Sequence, residues 1–343
     1  MSRWRVRPVE DADWDAAAEV WTAAHPHDPF SGPELKHQTQ QQATWGYRHT
    51  ALVAEAEGGA TLGNTVLGSA VVGLGLLSQN PGMYHPQRFE LEVAVRPEWQ
   101  GQGVGAALWR ELEGLLRGWN ALSVRTLARE DHPLAPHFLT RRGFSPGKRY
   151  FTSALNLNQA FDETPFSPTE TRLAALDVRV LSLAELREAG TPDLPRRLHA
   201  LMSDVRQDVP RSEPATPLTF EVFNEAILND SCLLPDAYLI AQAPNGDWLG
   251  QSTLFRSEAS ADLLTGLTGV TRDWRGQGVA TLLKLHILRV AQALAVQRGG
   301  DVFLRTDNAS DNAPMLAIND RFGFVRDPAS VSWVLDLGAN DQS

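Results

Sequence analysis

One cysteine, Cys232, occurs in the 343 residues, which excludes an internal disulfide and any cysteine-based metal cluster. No lysine- or arginine-rich block occurs either, and with 31 basic against 41 acidic residues the formal charge is −10. An electrostatic grip on nucleic acid or anionic lipid is thereby excluded, and the expected partners are neutral or cationic molecules, or anions held at a local site. Long apolar runs are missing as well. The longest, around Ala70 to Leu77, is broken by Gly73 and Gly75 and is too short to span a bilayer, and the opening residues lack the apolar core of a signal peptide. The expectation is a cytoplasmic protein with no membrane and no nucleic-acid partner.

What is present is one pattern written twice. From Val270 to Ala295 the chain reads as the end of a strand, a turn with two glycines, and a helix whose apolar residues Val279, Leu282, Leu283, Ile287, Val290 and Leu294 recur at helical spacing. From Val95 the same pattern appears, with Trp99 matching Trp274 and Gly101, Gln102, Gly103 and Val104 matching Gly276, Gln277, Gly278 and Val279. Such a junction seats an anion. The first four N–H groups of a helix have no partner within it, the aligned peptide dipoles favour negative charge there, and glycine removes the side chains that would hold a phosphate away. A dinucleotide-binding turn is disfavoured: both turns run Gly-x-Gly-x-small rather than Gly-x-Gly-x-x-Gly, and each follows several strands instead of opening a unit.

The elements around each turn follow in the same order. In the first copy these are an opening strand at Trp4–Pro8, helices over Trp14–Ala24 and Glu34–Trp45, and strands at Leu52–Ala54 and Val66–Leu77 separated by Gly58 and Gly59. A strand at Phe89–Val95, the turn and its helix, a strand at Leu122–Thr126, a short helix over Pro136–Arg142 and a strand at Tyr150–Leu157 complete it. The second copy begins at Val178–Leu181, with helices over Leu194–Val205 and Phe220–Leu228 and strands at Tyr238–Ala243, Trp248–Phe255 and Leu263–Val270. Residues 158–176 mix proline, threonine and acid without a period and read as a linker. The expected organisation is therefore a domain at 1–157, a linker at 158–176 and a domain at 177–343.

Both halves resemble the GNAT acetyltransferase superfamily, whose cofactor signature is Gln or Arg, two residues, Gly, one residue, then Gly or Ala. Gln100, Gly101, Gln102, Gly103, Val104 and Gly105 fit it, and so do Arg275, Gly276, Gln277, Gly278, Val279 and Ala280. The resemblance implies an α/β (α+β) fold of two tandem GNAT-like domains, each a mixed, mostly antiparallel sheet flanked by helices. It also implies that these turns and the following Thr281 hold the diphosphate of acetyl-CoA or another acyl-CoA, with the strand ends at Val95 and Val270 bonding the pantetheine arm. A second family feature, Asn308 followed by Asn312 and Asn319, flanks that arm in the second copy, where Asn308 and Asn312 either meet pantetheine amides or cap the helix. The first copy has no asparagine at the matching places.

Many family members use a glutamate on the strand before the glycine turn and a tyrosine four residues before the closing glycine. The first copy offers Glu90 and Glu92 on one strand face, as catalytic candidates or as solvated residues, where the second has Thr265 and Leu267. At the tyrosine position stand Leu139 and Asn319, so neither copy shows the full set. His25, His27 and Asp28, and Asp208 in the second copy, lie in the loop that borders the acceptor site in this family, and no metal site is expected from the two histidines. The tandem arrangement is similar to that of the mycothiol synthase family, which keeps a tyrosine where Asn319 stands, so that substrate is not assigned. The implied activity is transfer of an acetyl group to a primary amine of a small molecule or peptide, with the second copy holding the fuller coenzyme signature. A non-catalytic acyl-CoA sensor and one active domain beside a degenerate scaffold remain as alternatives, and the fused pair acts as a monomeric pseudo-dimer or as a homodimer.

Overall fold

The computed structural model describes residues 4–26, 28–56, 61–62, 65–66 and 70–338. They fall into two compact units, unit 1 being Met1–Arg149 with Ser330–Ser343 and unit 2 being Tyr150–Ala329. In chain order unit 1 contains β1 (Trp4–Pro8), α1 (Trp14–Ala24), α2 (Gly32–Thr44), β2 (His49–Ala56), β3 (Thr61–Leu62), β4 (Thr65–Val66), β5 (Ala70–Ser78), β6 (Arg88–Val95), α3 (Val104–Gly118), β7 (Ser123–Arg129), α4 (Ala135–Thr140) and the start of β8 (Ser145–Asn156). Unit 2 continues with α5 (Ser167–Ala174), β9 (Arg179–Ser182), α6 (Leu183–Glu188), α7 (Leu194–Val205), α8 (Phe220–Phe223), β10 (Leu239–Gln242), β11 (Trp248–Ser252), β12 (Leu254–Arg256), β13 (Leu263–Thr265), β14 (Gly269–Val270), α9 (Val279–Arg298), β15 (Phe303–Ala309), α10 (Ala313–Arg321) and β16 (Val325–Arg326). The last strand, β17 (Ser330–Asp336), belongs to unit 1.

The sheet of unit 1 runs β1-β2-β5-β6-β7-β17. Its strands alternate between two apolar layers because side chains leave a strand on opposite faces in turn. Leu52, Val72, Phe89 and Leu91 meet Val104, Leu108, Leu112 and Leu116 of α3 on one face. Val53, Val71, Leu74 and Ala94 meet Trp14, Ala17, Trp21 and Leu35 of α1 and α2 on the other. Gly73 and Gly75, which break the apolar run of β5, explain how closely α3 lies. A Cβ at 73 would stand 2.8 Å from Val104 Cγ1, and one at 75 would stand 2.9 Å from Leu112 Cδ1. Each fully buried leucine of α3 contributes about 2 kcal/mol of apolar burial.

Unit 2 is built from the same order of elements with its sheet divided in two. β14-β11-β10-β9 form one part, while β13 pairs antiparallel with β12 and parallel with β15, which pairs with residues 150–156 of β8. The expected strands Trp248–Phe255 and Leu263–Val270 are each interrupted, the first at Thr253 and the second over Gly266–Thr268. Gly266 packs so tightly on Thr253 that an added Cβ would stand 2.2 Å from its hydroxyl, which is where the chain leaves one part for the other. α9 is the one described helix long and apolar enough to cross a membrane, and 56% of its apolar window is buried, as in the core helix of a folded domain. The expected helix Phe220–Leu228 is one α-turn followed by a π-helical turn over Asn224–Leu228. Gly58 and Gly59 lie outside the described residues.

The unit boundaries differ from the expected 1–157, 158–176 and 177–343. Each copy's closing strand pairs away from its own copy. Tyr150–Asn156 run antiparallel to Phe303–Ala309, and Ser330–Asp336 run antiparallel to Ser123–Arg129. An alternating strand carries no local mark of which sheet receives it, so sequence order assigned both by proximity. Nor do residues 158–176 behave as a linker. Phe166 and Leu173 are fully buried in unit 2 and α5 packs on α9. Trp333, on β17, is buried in the α3 layer of unit 1. Trp333→Ala is therefore expected to cost about 3 kcal/mol. In hydrogen exchange, amides of β7 should lose protection well before those of β15, and the opposite order would contradict this placement of β17.

Candidate functional site

The site of unit 1 begins with a short pairing. β6 and β7 run parallel through three residue pairs only, Arg88 with Ser123, Phe89 with Val124 and Glu90 with Arg125. Beyond that rung Leu91–Val95 pair with β5 on one side and have no strand on the other among the described residues. The two strands open like a V, and the vertex is clamped by an ion pair between Glu90 and Arg125, to which Asn80 Nδ2 adds a hydrogen bond to Glu90 Oε1 at 2.7 Å.

At the open end lies the glycine turn. Gly101 and Gly103 adopt φ of 72° and 95°, the left-handed region that a side chain disfavours, and Gly103 caps α3 without any side-chain bond. The α3 amides there receive no side-chain cap, and Gly101, Gln102 and Gly103 are exposed. The flanking glutamines brace the turn: Gln100 Nε2 donates to Val95 O at 3.1 Å and Gln102 Nε2 to Glu98 O at 2.7 Å. Val104 is buried, so only its backbone faces the seat, and Gly105 lies between Val95 and Phe138 with room for no more than a small group.

Glu92 sits between turn and vertex, on the α1 side of the sheet. Its side chain is exposed to solvent, with protein atoms and two acidic neighbours packed around it. Burial first, then the charges of Glu90 and Asp28, push its carboxyl up to about 7. Asp28 is brought there by the α1–α2 loop, where Trp21 Nε1 donates to Asp28 O at 2.8 Å. His25 lies tilted against Trp21 with centroids 4.4 Å apart, and burial pushes its imidazole down to about 4. His27 lies outside the described residues. The structure thus separates two glutamates that strand spacing had placed together: Glu90 is bound at the vertex, and Glu92 faces the opening.

Unit 2 repeats the turn with different surroundings. Gly276 and Gly278 adopt φ of 72° and 84°, Arg275 Nε donates to Val270 O at 3.1 Å, and Gln277 Nε2 donates to Asp273 O at 3.0 Å. Arg272 and Arg275 both bond Asp208 and hold its carboxyl well below the usual range, so Asp208 serves the turn. α5 lies over this seat. An added Cβ at Gly278 would stand 2.6 Å from Thr169 Cγ2, and Arg172 donates to Gln277 O. Thr281, like Val279, is buried and offers only its backbone. Here β13 and β15 pair over two residues, Leu263 with Leu304 and Leu264 with Arg305, before parting.

Of the three asparagines, Asn319 and Asn308 are joined, Asn319 Nδ2 donating to Asn308 Oδ1 at 2.7 Å, while Asn319 Oδ1 is buried without a partner. Asn312 stands at the start of α10 but makes no side-chain cap bond. No carboxylate replaces Thr265 or Leu267, and the Thr265 hydroxyl is itself buried and unpartnered. One buried group escaped the sequence reading. Lys284 projects from α9 over the Phe324 ring at 5.4 Å, where unit 1 has Trp109 against Phe144 at the same 5.4 Å, and burial pushes its ammonium down to about 8. The 175-residue offset between the copies marks that substitution.

Comparison with known proteins bears on the family and the fold. The family model described as Acetyltransferase (GNAT) family matches residues 14–144. No curated protein matches the sequence. A GCN5-related N-acetyltransferase from Sphaerobacter thermophilus is similar over 98% of this chain and 96% of that one, with 18% identity and a TM-score of 0.67. A tandem GNAT protein from the clavulanic acid biosynthesis pathway, solved without AcCoA, is similar over 98% and 100%, with 18% identity and a TM-score of 0.68. A putative acetyltransferase from Pyrococcus horikoshii is similar over 98% and 90%, with 12% identity and a TM-score of 0.54. Residues 14–144 match the model of the GNAT acetyltransferase family, and the chain as a whole shares its fold with a tandem GNAT protein.

Proposed function

We propose that this chain transfers the acetyl group of acetyl-CoA to a primary amine of a small molecule or peptide, and that unit 1 carries the reaction. Acetyl-CoA is the co-substrate of the GNAT family, and the uncapped N-terminus of α3 with its exposed glycines suits a diphosphate. The observation that carries the reading is Glu92, a carboxyl with a proton affinity near neutrality in the opened part of β6. Ionised Glu92 takes a proton from the bound ammonium, and the amine nitrogen then attacks the thioester carbonyl. The C–N bond forms, the tetrahedral oxyanion is held by main-chain N–H groups, the C–S bond breaks to release the coenzyme thiolate, and the remaining extra proton on nitrogen passes to that thiolate. A thiol with an ordinary pKa of about 8.5 leaves without a dedicated acid, which suits a unit with Leu139 at the family's tyrosine position.

Unit 2 fits a different part. Its turn lies under Thr169 and Arg172, it has no carboxylate on the strand before the turn, and its Asn308–Asn319 pair leaves one buried acceptor open. These features favour a unit that holds a coenzyme or serves as scaffold without turnover, in contrast to the fuller signature its sequence displays.

Glu92→Gln is expected to lower kcat/KM by about 10²- to 10⁴-fold with coenzyme affinity retained. Because the carboxyl must be ionised to accept a proton, activity should rise with pH and level off above an inflection near pH 7, and the variant should lack that inflection. An unchanged profile would exclude Glu92 as the base. Gln102→Asp places a carboxylate in the exposed turn before α3 and should abolish turnover by repelling the diphosphate. The matching Gln277→Asp should leave turnover nearly intact; greater loss from Gln277→Asp would move the chemistry to unit 2.

A further inference from the structure

We infer that the acceptor is a small aliphatic monoamine whose carbon chain lies against Leu127, a proposal that rests on the assignment of Glu92 and names the substrate of that site. The register places Leu127 across the opening from Glu92. Glu90 and Arg125 are the last paired residues of β6 and β7, and their ion pair puts both side chains on one face of the sheet. Two residues further along a strand, the side chains return to the same face. Glu92 on one arm and Leu127 on the other are therefore the first side chains on that face beyond the vertex, and the opening lies between them. Leu127 belongs to no apolar core. It is 53% exposed, whereas Val124 and Ala128 of the same strand join the α3 layer on the other face. On β17, Val331, Trp333 and Leu335 join that layer too, while Val334, paired with Arg125, stays 38% exposed. Since Leu127 pairs with Ser332, Val334 is its diagonal neighbour. A single exposed leucine is ordinary on any surface, but two adjoining apolar side chains beside a cleft form a wall.

The loop between α1 and α2 reaches from one arm to the other. Its Asp28 acts on Glu92, and its His25 lies close enough to His132, which follows β7, for the two imidazoles to oppose each other's charge. The vertex, the two arms and this loop thus bound the acceptor space, which suits a small molecule. Charge then separates the classes of amine. The carboxylates Glu92 and Asp28 match one ammonium. Opposite them the β7 arm offers Leu127 and, two residues on, Arg129, whose guanidinium bonds Asp131 at 3.0 and 2.9 Å. Glu90 at the vertex is already neutralised by Arg125. A second ammonium at the far end of a diamine would therefore meet leucine carbon or a guanidinium, where an alkyl end meets apolar surface.

The test compares n-pentylamine with 1,4-diaminobutane, which match in length and differ in a terminal methyl against a second ammonium, with acetyl-CoA held saturating. The unaltered chain should favour n-pentylamine by about fivefold or more in kcat/KM. Leu127→Glu, at an exposed position, sets a carboxylate across from Glu92 and should reverse that preference, raising the KM of n-pentylamine by roughly three- to tenfold and lowering that of 1,4-diaminobutane. Preference of the unaltered chain for the diamine, or a Leu127→Glu variant that shifts both amines alike, would overturn the proposal. Calorimetric titration of both amines into the chain saturated with coenzyme A, which carries no acetyl group to transfer, separates the seat from the catalytic reading. Binding of n-pentylamine that Leu127→Glu weakens supports the seat even where Glu92 proves not to be the base, and absence of n-pentylamine binding overturns it.

Discussion

Three rungs of parallel pairing between β6 and β7 govern the first unit. Had the strands stayed together past Glu90 and Arg125, Leu91–Val95 would be an interior strand and no groove would reach the start of α3. Because they part, the sheet acquires a cleft while its core stays closed. Phe89, Leu91 and Val104 seal one face, Ala94 and Trp21 the other, and Glu92, two residues from the Glu90–Arg125 ion pair, forms no ion pair among the described residues. The raised proton affinity of Glu92 follows from the protein atoms packed around it and from the charges of Glu90 and Asp28, while its side chain still reaches solvent.

Duplication lets the molecule be compared with itself. The turns agree in backbone angle, in the brace from residue 100 or 275 to the strand end, and in the second brace four residues further back. The surroundings diverge. Where the first unit has exposed glycines and Glu92, the second has α5 across the turn and Leu267. Where the first closes its helix layer with Trp109, the second places the buried ammonium of Lys284 on the same partner ring position. Backbone geometry at the turn is set by glycine and survives such change. The side chains that decide chemistry occupy positions where either a polar or an apolar group can be accommodated.

Much of this was legible in the residues. Paired glycines before an apolar helix are a local signal, and both turns are where the spacing places them. The two glutamates were legible as a pair on one face, but only the point where β7 departs distinguishes them, and that depends on Arg125 far along the chain. Asn312 looked like a cap by position and is not one in side-chain bonding, while Asn319 found Asn308 across a strand–helix gap. Residues 158–176 lack periodicity because α5 is a short helix buried through Phe166 and Leu173 rather than along a stripe. The break of the second sheet near Thr253 and Gly266 arises from a tertiary close approach, which no run of alternating residues announces.

Strand β17 bears on how the chain reaches its native form. β7 ends at Arg129 and its antiparallel neighbour begins at Ser330, so the contact that completes the first sheet joins segments separated by roughly 200 residues. During synthesis the amino-terminal half would emerge with an edge of that sheet unsatisfied until the whole of the second copy had been made. A segment held waiting in that way is prone to pair with a neighbouring nascent chain, and maturation of the first half becomes tied to the translation time of the second.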